Sequence, residues 1–254
     1  MYKALFTISA ETIKELSKDK KYLGAKIGFT SVLHTWGQNL SLHPHIHMIV
    51  PGGGIDSNGK WKSSKKKFFL PVKVVSKLFK GKFLSYTKKN FDQRKIKDKE
   101  QFQNIINTCY SKDWVVYTKK PMKSAKHVVK YLGRYTHRIA ISNARIKKYE
   151  DNKVTFSYKD YSDHNKIKEM TLEDTEFFRR YMMHVLPSNF MKIRHYGFLG
   201  NRNKEERIKA VRTATNTKDP GPLLIDYEQI ISDILKRDVS ICIKCGQKRH
   251  HKLE

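Results

Sequence analysis

Apolar positions along the chain switch between helical and strand spacing, and the switches predict its elements. Residues 10–19 carry a helical pattern. From Tyr22 to Trp36 the residues Ala25, Phe29, Val32 and Trp36 recur at i, i+4, i+7 and i+11, which predicts a second helix lying on a sheet. Leu42 to Val50 alternates with period two and stops at Pro51-Gly52-Gly53-Gly54, a strand followed by a turn. Asp56-Ser57-Asn58-Gly59 predicts a hairpin turn into Lys60-Trp61. Val72 to Tyr86 is amphipathic and helical, while the charged stretch Lys88 to Glu100 reads as a solvated loop or helix face. Trp114 to Tyr117 predicts a short strand, and Ser124 an N-cap for a helix reaching about Arg138. Ile139 to Ile146 and Lys153 to Tyr158 read as strands joined at Glu150-Asp151-Asn152. A helix over 173–186 is stopped by Pro187, and the basic tail beyond Asn201 is helical in places. There is no internal repeat.

Composition narrows the class. With 254 residues, 39% hydrophobic and 11% aromatic, the chain can bury a core, which excludes global disorder. Against 24 Asp+Glu stand 52 Lys+Arg, a net charge of +28 spread along the sequence, so the surface attracts polyanions and nucleic acid foremost. No apolar run reaches the ~18 residues of a membrane span, and the opening residues lack a signal-peptide pattern. Cys109, Cys242 and Cys245 are too few for a disulfide framework, which points to a reducing cytoplasm.

Two constellations carry chemistry. In His43-Pro44-His45-Ile46-His47 the histidines share one strand face, and residues two apart have Cα atoms roughly 6.6–6.8 Å apart, close enough for His45 and His47 to share a divalent ion. His43 lies about 13 Å along the strand from His47 and needs a bulge at Pro44 to join them. A polar strand face is the alternative. In Tyr131-Leu132-Gly133-Arg134-Tyr135-Thr136-His137-Arg138, helical spacing gathers His127, Tyr131, Arg134 and Arg138 in one sector and sets Tyr135 in the adjoining apolar stripe. Tyrosines at i and i+4 can enter one site or pack as an aromatic pair in the core. A phenol ionises at about pH 10, so a tyrosine nucleophile needs neighbouring cations, which Arg134 and Arg138 can supply. A His-bound metal can polarise a phosphodiester for attack by that phenol.

The segments His34–Gly54, Lys67–Leu84, Tyr131–Ile146 and Arg194–Arg202 resemble the two-tyrosine rolling-circle transposases of the IS ninety-one type, members of the His-hydrophobe-His (HUH) endonuclease superfamily. The resemblance spans roughly residues 10 to 215. It implies an α+β fold: an antiparallel sheet with the His-x-His pair on a central strand and the tyrosine helix packed against it. It implies that His45 and His47 bind Mg or Mn, that Tyr131 and Tyr135 are nucleophiles, and that the third ligand is His43, Gln38 or His127. The implied partner is single-stranded DNA at transposon ends and the target site, cut to a 5′-phosphotyrosine, with no membrane and no small-molecule substrate. Residues 1–200 would form the catalytic domain and 201–254 a basic tail. Longer members carry a Cys-rich segment and a further strand ahead of the region where this chain begins, so an N-terminally incomplete domain is expected. An inactive DNA-binding remnant and a replication initiator or relaxase of the same superfamily are the alternatives.

Weaker signals remain. Cys242-x-x-Cys245 is half a zinc site, completed by His250 or His251, or else part of a basic tail. Lys65, Lys66 and Lys67, together with Arg194 and His195, are candidates for DNA contact.

Overall fold

In the computed structural model, which describes residues 1–64, 69–91, 98–119, 124–136 and 140–219 with short pieces outside these, the chain opens with helix α1 (Tyr2–Lys18). It starts well ahead of the 10–19 pattern because Ala4, Phe6 and Ile8 are buried as deeply as Ala10 and Leu16.

The segment after it corrects the expected second helix. Phe29–Trp36 is strand β1, the centre of an antiparallel sheet ordered β2-β1-β8, with β2 at Leu42–Ile49 and β8 at Ile193–Tyr196. Phe29, Val32 and Leu33 are all at most 1% exposed, so both faces of β1 are covered and the period-two signal disappears. A continuous buried run cannot be told from a helix by periodicity alone, whereas β-branched Thr30, Val32 and Thr35 favour the strand.

The α+β class and antiparallel pairing are as the resemblance implied. The His-x-His strand, however, is not central: among the described residues β2 pairs with β1 alone. Pro44 gives the physical reason, since a residue without an N–H is tolerated at a sheet edge and not in its middle.

Alternation assigns the faces. Phe29, Met48 and Val50 pack with Ala10 and Ile13 of α1 on one side. The other side carries Val32 opposite His47 and His34 opposite His45, and there helix α4 (Ala125–Thr136) lies against β1. The sheet is thus sandwiched between α1 and α4.

The hairpin β3 (Gly53–Ile55) and β4 (Trp61–Ser63) turns at the expected residues, where Asp56 Oδ1 accepts from the Asn58 and Lys60 amides at 2.8 and 2.9 Å and Gly59 takes φ 75°. Helices α2 (Val72–Asn90) and α3 (Lys99–Ser111) follow, α2 packing on α1 through Leu16, Leu70 and Val75. Trp114–Tyr117 is not a strand. Trp114 tucks against Phe79 and Phe83 while Val115 is 95% exposed, so the alternation is genuine but no partner strand lies beside it among the described residues.

A meander of β5 (Ile146–Glu150), β6 (Lys153–Asp160) and β7 (Lys166–Glu173) forms a second antiparallel sheet. β5 begins where the Ile139–Ile146 strand was expected to end; 140–142 are irregular, Asn143–Arg145 form a short 3-10 turn and 137–139 lie outside the described residues. Helix α5 (Asp174–Met182) packs Phe177 on Phe156, and ends before Pro187 because Met183–Val185 form turns. Helix α6 (Lys204–Thr215) closes the first of two compact units, Met1–Asn216; the second is Thr217–Glu254. No described helix is long and apolar enough to cross a membrane.

Candidate functional site

The hairpin β1–β2 assembles three histidines. His34 stands opposite His45 in the register, and His45 and His47 share a face at i and i+2. His34 Nδ1 lies 3.2 Å from His45 Nε2, which lies 3.1 Å from His47 Nε2, and all three nitrogens fall within 4.8 Å of one another. Two nitrogens bound at about 2.1 Å to one ion sit roughly 3.0–3.4 Å apart at right or tetrahedral angles, so the His34–His45 and the His45–His47 spacings each suit a shared metal. The His45 ring donates Nδ1–H to the His43 carbonyl at 2.7 Å, which turns its Nε2 lone pair toward the centre. Among the described residues this is the one such His, Cys and carboxylate cluster.

Electrostatics keep the cluster neutral. Burial first, then the charges of His45, His47 and Lys192, push His34 down to about 3. Burial, then His45 and Lys119, push His47 down to about 4. Burial also lowers His45, partly opposed by its bond to the His43 backbone. Neutral imidazole is the form that ligates metal. The sign for stability follows: unfolded histidines take up protons near 6.5 while the folded ones resist to about 3 or 4, so the unfolded state gains protons first. In chelator, the urea midpoint is expected to fall as pH drops from 6.5 toward 4, and His34→Asn to flatten that dependence. An equal slope in both proteins counts against the assignment.

Tyr131 joins from α4. Its hydroxyl lies 2.9 Å from His47 Nδ1, and the Lys119 ammonium lies 5.4 Å from its ring centroid. On the far side Lys192 stands 5.0 Å from the centre of the Trp36 ring, which itself lies 3.8 Å from that of His34. The site is therefore a neutral imidazole cluster with a phenol against it and a lysine on either flank.

The remaining sequence candidates are distributed as follows. His43 lies tilted beside His45, ring centres 4.9 Å apart, without entering the cluster. The Gln38 amide bonds the Tyr161 hydroxyl at 3.4 Å, and exposed His127 is held by Ser124 Oγ at 2.7 Å. His195 bonds Thr30 Oγ1 at 2.9 Å, opposite it in the register and so on the histidine face. Arg194 is on the other face, 4.3 Å over the Phe6 ring. The side chains of Arg134 and Tyr135, and the residues Arg138, Lys65, Lys66, Lys67, Cys242, His250 and His251, lie outside the described residues. Cys245 is exposed and belongs to no ligand cluster among the described residues.

His34 and Lys192 were not among the sequence candidates. His34 was hidden by the helix expected over Tyr22–Trp36. Folded instead as a hairpin about Gly37–Leu40, the same residues pair His34 with His45.

Comparison with known proteins adds a family. Residues 28–207 match the model of a family described as "Putative transposase". "Putative transposase y4qJ" of Sinorhizobium fredii (strain NBRC 101917 / NGR234) is 40% identical over 261 residues, covering 97% of this chain and 66% of that protein. "Transposase for insertion sequence element IS801" of Pseudomonas savastanoi pv. phaseolicola is 28% identical over 251 residues, covering 96% of this chain and 60% of that protein. The chain thus spans just under two thirds of the length of these relatives. No solved structure gives a significant match.

Proposed function

The chain belongs to this transposase family, and from that premise we propose that it cuts and rejoins single-stranded DNA through tyrosine, as an HUH-type rolling-circle transposase. The observation that carries the reading is the Tyr131 hydroxyl seated 2.9 Å from His47, within the three-histidine cluster.

In this reading the Tyr131 oxygen attacks phosphorus. A Tyr–O–P bond forms, the bond to the 3′-oxygen breaks, the phenolic proton is lost, and the departing 3′-oxygen takes up a proton as a free hydroxyl. The 5′-phosphotyrosine keeps the energy of the phosphodiester, so a later 3′-hydroxyl can displace it without a nucleotide cofactor. Lys119 offsets charge developing on the phenol, a role the sequence had suggested for Arg134 and Arg138. Tyr135, one turn along α4, serves the second strand transfer. His34, His45 and His47 would hold a divalent ion, which when bound polarises a phosphate oxygen. The net charge of +28 holds the DNA backbone and makes binding fall steeply with salt.

Three imidazole nitrogens also bear on the ion. Mg prefers oxygen ligands and retains its waters, whereas Mn accepts imidazole. Calorimetry is expected to show Mn bound at least about tenfold more tightly than Mg; tighter Mg binding would count against the cluster as ligand set.

The function is tested by incubating the protein and Mn with a labelled single strand from an element terminus. A denaturant-stable protein–DNA adduct is expected, with none from the corresponding duplex. No adduct, or equal yield from both substrates, overturns the reading.

A further inference from the structure

The tip of the histidine-bearing hairpin is held by groups that play no part in the chemistry above. Between β1 and β2 the chain turns over Gly37–Ser41, and three successive carbonyls in that turn each accept a hydrogen bond from the turn ahead of β5, from α5 or from the turn that follows α5. The Gln38 carbonyl accepts from Arg145 Nη2, that of Asn39 from Arg180 Nη1 at 3.3 Å, and that of Leu40 from His184 Nε2 at 3.0 Å. The donors are themselves fixed. Arg145 also donates Nε–H to the Ser157 carbonyl at 2.7 Å, and Arg180 is ion-paired to Glu176 at 2.7 Å. Leu40 is fully buried among Ala140, Val154, Phe156 and Phe177, and takes φ 62°. A leucine holds such left-handed backbone only where its surroundings impose it.

The grip matters because of what the turn joins. Among the described residues β2 is an edge strand, and a one-residue slip against β1 would carry its histidines to the opposite face. The pairing is already irregular between His34 and Trp36, immediately before the turn. A line of ring contacts also leads from the grip to the cluster: His184 lies 6.1 Å from Trp36, and Trp36 lies 3.8 Å from His34.

The geometry points to Arg145, Arg180 and His184 as positioning residues that set the register of the β1–β2 hairpin and thereby hold His34 against His45 and His47. The inference rests on the three histidines being the metal ligands. His184 acts through its Nε2–H, with Leu40 as the lever and Trp36 as the brace.

Mn binding, measured by electron paramagnetic resonance on the whole chain, tests it alongside circular dichroism as a check of folding. His184→Leu removes the donor and leaves the Leu40 carbonyl unbonded; Mn affinity is expected to fall by about tenfold or more, with a broadened Mn signal. His184→Gln places an amide N–H at the same point and is expected to bind within about threefold of the native protein. Arg180→Ala, at a half-buried site, is expected to weaken Mn by several fold and decides the question if His184→Leu does not fold.

Native Mn affinity in folded His184→Leu or in Arg180→Ala overturns the inference, and so does a Gln variant as weak as the Leu one, which would assign His184 to packing alone. Failure of the native chain to bind Mn is a different result: it removes the metal reading, and the inference with it.

Discussion

Tyr131→Phe is expected to abolish the covalent protein–DNA adduct, by at least about 10³-fold, while leaving salt-sensitive binding of the strand intact. Phenylalanine keeps the ring that lies 6.1 Å from His47 and removes only the oxygen that would form the bond to phosphorus. The structural cost is small. One hydrogen bond between a half-buried hydroxyl and an imidazole is worth about 1 kcal/mol, far below what unfolding a domain requires. A large loss of adduct with an unchanged urea midpoint therefore reports chemistry and not stability. Tyr135→Phe separates the two phenols: first cleavage is expected to survive and the second transfer to fail. Adduct at native yield from Tyr131→Phe would mean that some other group attacks, and the arrangement of His47, Lys119 and Tyr131 would lose its assigned purpose.

The parts of this molecule that could be read from sequence are those whose cause is local. Asp56-Ser57-Asn58-Gly59 carries its own turn chemistry, with the aspartate oxygen bonding amides two and four residues on, so the β3–β4 hairpin was legible. The amphipathic run from Val72 likewise specified α2. β1 was not legible, because a strand covered on both faces shows no alternation and mimicked a helix. β7 was missed for the opposite reason: Lys166 and Lys168 on the inward parity and exposed Ile167 on the outward one break up an alternation in which Met170 and Leu172 reach the core.

The site divides in the same way. His45 and His47 are neighbours in sequence and were visible there, whereas His34 becomes a neighbour only through strand register. Lys192 is one among 52 basic residues, and nothing but the fold distinguishes it. The three carbonyls at the hairpin tip are backbone atoms, so their capture by Arg145, Arg180 and His184 leaves no trace in a residue pattern.

His34→Ala carries the other large expected effect: Mn affinity should fall by at least about 10²-fold, more than the 10- to 100-fold typical of losing a group that merely orients a ligand. The matched control is His43→Ala. His43 belongs to the sequence cluster and its ring lies beside that of His45, yet its contribution to the geometry is the backbone oxygen that accepts His45 Nδ1–H, and alanine keeps that oxygen. His43→Ala should therefore bind Mn within about threefold of the native chain.

The two substitutions remove the same side chain from adjacent strands, so general electrostatics cannot distinguish them; only the direction of the ring nitrogens can. Removing His34 also takes away a group forced to stay neutral down to about pH 3, so the alanine chain should resist acid unfolding better in chelator even as it loses the metal. Gain in acid resistance together with loss of Mn is a combination that simple destabilisation does not produce. Equal losses of Mn from His34→Ala and His43→Ala would show that binding follows the run of histidines along β2, and that the cross-strand pairing of His34 with His45 has no part in it.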